Sequence, residues 1–176
     1  MRDVCSIPTS GAISFVTKPT AVGGATDFTD RLGIADPAGS DPAWSDPAWS
    51  DPARRLDSLA AALLARFEVV SLVASTVRGV HSASVNDWSA NAYARNGETA
   101  RSRVFEGLEI MDRVGGGDGF VSGLTYGLLQ GKLLAEALEF GVAHGALAMT
   151  TPGDNSMASL AEVTAQVTGT GAHVQR

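Results

Sequence analysis

Gly115-Gly116-Gly117-Asp118 is the stretch of this chain best suited to chemistry. Three successive glycines let the backbone turn tightly and bring consecutive N–H groups close to a ligand, with no Cβ in the way. The run Leu108-Glu109-Ile110-Met111-Asp112 precedes them, and an apolar helix-like run from Phe120 to Leu129 follows. A helix starting there adds its own unpaired N–H groups and the positive end of its dipole. That combination is an anion site, and phosphate is the usual anion. A carboxylate at Asp118 repels phosphate, so its presence needs a reason, and taking a proton from an attacking hydroxyl is one. A Gly-rich turn before an Asp N-cap is also an ordinary helix start. On these residues alone both readings stand.

The flanking pattern supplies elements to position such a site. Arg54 to Phe67 carries Leu56, Leu59, Ala60, Leu63, Leu64 and Phe67, a helical apolar stripe. Val69 to Ser75 suits a short buried strand. Trp88 to Arg95 and Thr99 to Phe105 flank Asn96-Gly97 and read as a hairpin with a two-residue type I′ turn. Leu108 to Met111 reads as a further strand. Asp118 to Gln130, Leu133 to Met149 and Met157 to Val167 read as helices, with fraying after Gly169. The order predicts an α/β fold with a mostly buried sheet. Ligands in such sheets bind beyond the carboxyl ends of strands, where a loop meets a helix, and Gly115–Asp118 lies at such a place.

Composition narrows the function. With 176 residues, 44% hydrophobic and 18% charged, the chain has the material for one globular domain. A net charge of −6 argues against a nucleic-acid partner. Cys5 is the only cysteine, which excludes an intrachain disulfide and a cysteine-built zinc site. His81, His144 and His173 lack ligand spacing, so no protein metal cluster is expected. Without an apolar run of the ~18 residues that span a bilayer, and without a signal-peptide pattern, no membrane role and a cytoplasmic location are expected. Residues 36–53 repeat a five-residue Asp-Pro-Ala-Trp-Ser unit that holds Trp44 and Trp49. Its regularly spaced prolines block helix and central strand. It reads as a low-complexity linker, with a small interaction surface as the alternative.

Asp112 to Asp118 (DRVGGGD) resembles the second signature of ribokinase-like, PfkB-type sugar kinases, Asp-Thr-x-Gly-Ala-Gly-Asp. Val80 to Ser89 (VHSASVNDWS), Gly123 to Leu128 (GLTYGL), Ala137 to Phe140 (ALEF), Pro152 to Asp154 and His173 to Arg176 are similar to the bacterial 2-keto-3-deoxygluconate kinases within that family. The resemblance covers about residues 56–176. It implies the C-terminal half of a three-layer α/β/α ribokinase-like sandwich, with residues 54–170 as kinase domain, 1–35 an irregular remnant of it and 171–176 a tail.

The implied activity is transfer of the ATP γ-phosphate to a hydroxyl of a sugar acid, with Mg2+ bridging the phosphates. In that resemblance Asp118 is the catalytic base. The amides of Gly115, Gly116, Gly117 and Asp118 form the anion hole, and Thr76 and Arg78 approach the nucleotide phosphates. The chain also departs from the family. The N-terminal half with most sugar-binding residues has no counterpart. An Asn-Glu-x-Glu-like magnesium motif is reduced to Asp27 within Gly23 to Asp27, and Gly119 stands where close relatives have serine. Impaired turnover is expected from these departures. A catalytically inactive nucleotide-binding remnant and an interaction protein remain the alternatives, and a homo-oligomer or a separately encoded N-terminal half are the partners they leave open.

Overall fold

A computed structural model of the chain describes residues 12–16, 52–68, 70–153 and 156–169. In chain order these form β1 (Ala12–Val16), α1 (Pro52–Arg66), β2 (Val70–Val80), β3 (Val85–Ala94), β4 (Thr99–Arg101), β5 (Phe105–Glu109), α2 (Gly116–Leu129), α3 (Leu134–Met149) and α4 (Leu160–Thr168). The strand β1 falls within the segment expected to be irregular. The pentapeptide repeat, save the start of α1, and the tail lie outside the described residues.

All five strands belong to one sheet. β1 runs parallel to β2, and β2 pairs antiparallel with β3 over the register Leu72↔Ala94 to Val80↔Asn86. The far side of β3 is shared: β4 takes Asn91 to Tyr93, and β5 takes Val85 to Trp88. The single strand expected from Thr99 to Phe105 is therefore two. Ser102 sits at the break, where its hydroxyl accepts the Ala90 N–H at 2.9 Å and donates to the Arg103 carbonyl at 2.8 Å. β2 is also longer than expected. It continues through Val80 into a second hairpin, whose turn is held by the Ser82 hydroxyl accepting the Ser84 and Val85 amides. The polar, small-residue run His81 to Ser84 between two strand-like segments was the available signal.

The turn at Asn96-Gly97 is not type I′, which needs positive φ at two successive residues. Gly97 has φ +88°, and no described non-glycine residue has a positive φ. The Gly97 amide bonds the Ala94 carbonyl at 3.0 Å and the Ala94 amide bonds the Glu98 carbonyl at 2.8 Å. The loop thus holds three residues, a type I-like turn closed by a left-handed glycine. Asn96 keeps an ordinary conformation because its side-chain oxygen accepts the Glu98 amide at 2.9 Å.

Helices cover both faces of the sheet. On one face Ala60 and Leu63 of α1 bury against Val70 and Val73 of β2. On the other, Phe120 and Leu124 of α2 and Leu138, Val142 and Ala146 of α3 pack on Leu72, Ala74, Trp88, Ala90 and Ala92. This is a three-layer α/β/α arrangement. α3 is apolar nearly all round because it is enclosed on three sides, by the sheet, by α2, and by α4 through Phe140, Ala143 and Val163. Helix α4 begins at Leu160, three residues later than expected, because Ser159 and Glu162 form a reciprocal capping box there. Arg103 fastens this helix down. It pairs with Glu139 of α3 at 2.6 Å and donates to the Gln166 and Val167 carbonyls at the end of α4.

α2 and α3 run antiparallel in unusually close contact. A Cβ added at Gly123 would lie 2.3 Å from the Phe140 carbonyl oxygen, and one at Gly127 would lie 2.6 Å from the Ala137 Cα. Both obstacles are backbone, so neither can swing aside. Glycine to alanine in a helix is ordinarily worth about 1 kcal/mol of stability. Here the sign inverts: Gly123→Ala is expected to lose about 3 kcal/mol through overpacking, read from urea denaturation. His144 of α3 is half-buried and hydrogen-bonded to the Ser156 hydroxyl at 2.9 Å, and burial holds its pKa below the usual histidine value. Its folded pKa lies below the unfolded one, so the neutral form contributes stability at pH above about 6.5 that is lost as pH falls through that value. Thermal melts between pH 7.5 and 5.5 should show this loss, and His144→Gln should reduce it.

Candidate active site

The glycine loop is built by backbone contacts to the end of α3. After β5, the Met111 and Asp112 amides both donate to the Met149 carbonyl, at 2.9 and 3.3 Å. The Asp112 carboxylate then accepts the Val114 amide at 2.9 Å, closing a small turn, and Arg113 donates to the Ala83 carbonyl in the β2–β3 turn. Gly115 follows in the left-handed region at φ +88°, a conformation strained for any residue with a Cβ.

Gly115 is the N-cap of α2, and the first helical bond runs from the Gly119 amide to the Gly115 carbonyl at 2.8 Å. Asp118 is therefore the third residue of the helix rather than its cap. α2 starts two residues earlier than its sequence suggests because Gly116, a poor helix former, is buried against Met149. The amides of Gly116, Gly117 and Asp118 precede that first bond and have no partner within the helix. They point out of the positive end of the helix dipole. Asp118 is exposed, and among the described residues its carboxylate makes no ion pair. Donors for an anion and a free carboxylate thus share one helical turn. Such an arrangement can bind a phosphate and accept a proton beside it.

Thr76 and Arg78 lie on β2, opposite Ala90 and Trp88 of β3. Paired and alternate residues of a sheet share a face, so both sit on the face that carries α2 and α3. Thr76 is buried beneath the helices and Arg78 is exposed farther along the strand. No hydrogen bond or ion pair joins Arg78 to Asp118. Trp88, next to Arg78, ties this part of the sheet to α3: its indole N–H donates to the Val142 carbonyl at 3.2 Å. The segment Gly23 to Asp27 lies outside the described residues.

Gly119 has a structural reason. A Cβ there would come within 3.1 Å of the His144 carbonyl and 3.2 Å of the Ala148 methyl. The tight α2–α3 contact thus favours glycine over a serine. Sequence reasoning also missed the tip of the β2–β3 hairpin. Asp87 there accepts the Gly107 amide at 2.8 Å and pairs with His81 at 2.7 Å. These bonds, the amide first, hold the Asp87 carboxyl below the usual range. A shallow depression lined by Asp57, Tyr93, Thr99, Ala100 and Arg101 lies on the α1 side, away from the glycine loop. Burial, then Asp57, push the Tyr93 hydroxyl above its usual pKa.

The layered fold resembles that of solved sugar-kinase structures. Residues 78–161 match the pfkB family carbohydrate kinase profile. A 5-dehydro-2-deoxygluconokinase of Clostridium perfringens is 38% identical over 58 residues, which are 33% of this chain and 17% of that protein. The crystal structure of a 2-dehydro-3-deoxygluconokinase from Thermotoga maritima superimposes with a TM-score of 0.61 at 31% identity, covering 68% of this chain and 36% of that one. A structure from Enterococcus faecalis described as a 2-keto-3-deoxygluconate kinase gives a TM-score of 0.64 at 24% identity, over 88% and 41% of the two chains, and supports the fold. The chain spans less than half the length of each of these relatives.

Asn86, on β3 opposite Val80 and Leu108, is 1% exposed, and neither its amide nitrogen nor its oxygen has a hydrogen-bond partner. Leaving such atoms desolvated and unpaired costs about 1–3 kcal/mol. Leucine has the same number of side-chain heavy atoms. Asn86→Leu is expected to raise stability by about 1 kcal/mol in chemical denaturation, and a comparable fall would show that the amide has a partner in solution.

Proposed function

We propose that this chain carries the phosphate-binding and base-bearing part of an ATP-dependent carbohydrate kinase. Its acceptor is a keto-deoxy sugar acid, with 2-keto-3-deoxygluconate the first choice. The observation that supports this reading most is the start of α2, where three amides without helical partners stand beside the exposed Asp118 carboxylate. Asp118 takes the proton of the acceptor hydroxyl. The hydroxyl oxygen bonds the γ-phosphorus, the bond from phosphorus to the β–γ bridging oxygen breaks, and ADP leaves. The amides of Gly115 to Asp118 hold the charge on the transferred group, a task phosphoryl transfer depends on more than covalent chemistry. Of the two β2 candidates, the exposed Arg78 contributes toward the nucleotide phosphates, while Thr76 is buried on the same face of the sheet.

Among the described residues no three or more His, Cys, Asp or Glu gather as a metal site. Mg2+ would be held mainly by the nucleotide phosphates and water, leaving Asp118 free as the base. When bound, the ion neutralises phosphate charge.

A second reading is nucleotide binding without turnover, in which no acceptor hydroxyl is oriented beside the phosphate. The two readings separate in one experiment. ATP consumption that depends on 2-keto-3-deoxygluconate, and falls at least about 100-fold in Asp118→Ala while ADP affinity stays within a few-fold, supports the kinase. Calorimetric ADP binding without sugar-dependent turnover supports the second reading. No binding of either nucleotide by the folded chain would overturn both.

A further inference from the structure

Met149 touches the glycine loop at both ends. Its carbonyl accepts the Met111 and Asp112 amides where the chain enters the loop. Its side chain fills the space beside Gly116 where the chain leaves the loop. A Cβ at Gly116 would lie 2.6 Å from the Met149 Cγ and 2.9 Å from its Sδ. Met149 is the last residue of α3 and is 3% exposed. The four residues from Asp112 to Gly115 are therefore spanned by one fixed residue, 33 positions away from Gly116 in the chain.

We infer that Met149 is the positioning residue of the glycine loop, its thioether filling the volume that an alanine at position 116 would otherwise occupy. Gly116 and Met149 act as a size-matched pair. Where the family signature has alanine between two glycines, this chain has glycine and carries the missing bulk on α3. Packing against the thioether sets the height of Gly116 over the end of α3, and so sets the direction of the Gly116, Gly117 and Asp118 amides. Met149 touches no substrate and acts only through the loop.

The inference rests on the proposed anion-binding role for its functional consequence, but not for its structural one. Two readouts keep these apart: exchange of the hydrogen-bonded loop amides of Met111, Asp112 and Val114 in the ligand-free full chain, and calorimetric affinity for magnesium-ADP. Met149→Ala should speed exchange and weaken nucleotide binding, each about tenfold. Gly116→Ala alone should do likewise by forcing the Met149 side chain aside. The double variant Gly116→Ala/Met149→Ala should recover both readouts to within about threefold of wild type, because contacting residues couple rather than add. Additive losses in the double variant would overturn the inference. So would a Met149→Ala protein that melts earlier yet exchanges and binds as wild type does. If Met149→Ala does not fold but the double variant does, the rescue itself supports the pairing. If neither folds, Met149→Val takes its place in the same cycle with the same outcomes. If wild type binds no nucleotide, the proposed function fails, and the exchange readout alone still decides the pairing.

Discussion

The contact on which the rest of this molecule depends is backbone against backbone between α2 and α3. At Gly123 and Gly127 there is no room for a side chain, because the facing atoms are the Phe140 carbonyl and the Ala137 Cα. Packing of this kind is short-ranged and unforgiving, since main-chain atoms cannot adopt another rotamer. It fixes how far α2 can slide along α3. The N-terminus of α2 is consequently held in register with the end of α3, where Met149 receives the loop. The direction of the amides at the start of α2 is thus decided by contacts spread over four helical turns rather than by the loop alone.

Trp88 connects this helix pair to the sheet. Its indole reaches the Val142 carbonyl, and its ring lies 3.0 Å from where a Cβ on Gly145 would stand. A Cβ at Gly145 would also be 2.8 Å from the Gly116 carbonyl oxygen. Sheet, α3 and the first residue of α2 therefore meet at one point with no slack. A site made of amides needs this rigidity, because electrostatic stabilisation is worth most when donors are already oriented and need not reorganise.

Much of this was legible in the residue pattern. The apolar stripe of α1, the run of α3 and the Asn96-Gly97 reversal each carry a local signal, and each appears at its expected place. The failures share a cause. The type of turn at Asn96, the division at Ser102 and the starts of α2 and α4 are decided by individual hydrogen bonds or tertiary contacts that periodicity does not encode. Gly115 to Asp118 could be picked out as a glycine turn opening a helix because glycine content and a following helix are local. Met149 could not, since nothing near it in sequence marks a thioether that will pack against position 116. Thr76 and Arg78 came from family resemblance. The register of β2 against β3 puts them on the site's face of the sheet, a relation that no spacing within β2 reveals.

Arg103 bears on the order in which this fold can assemble. Its bonds to the end of α4 join residues 63 and 64 positions apart, whereas the caps of α4 are local. Closing so long a loop costs entropy before it returns any contact. The landing place itself exists only after β3 has recruited β4 and β5 and Glu139 has presented its carboxylate. With only nine residues, α4 is too short to hold its helix alone in water and depends on docking at that place. It acts as a latch on an already assembled core, and its seating reports that the strands beneath have found their partners.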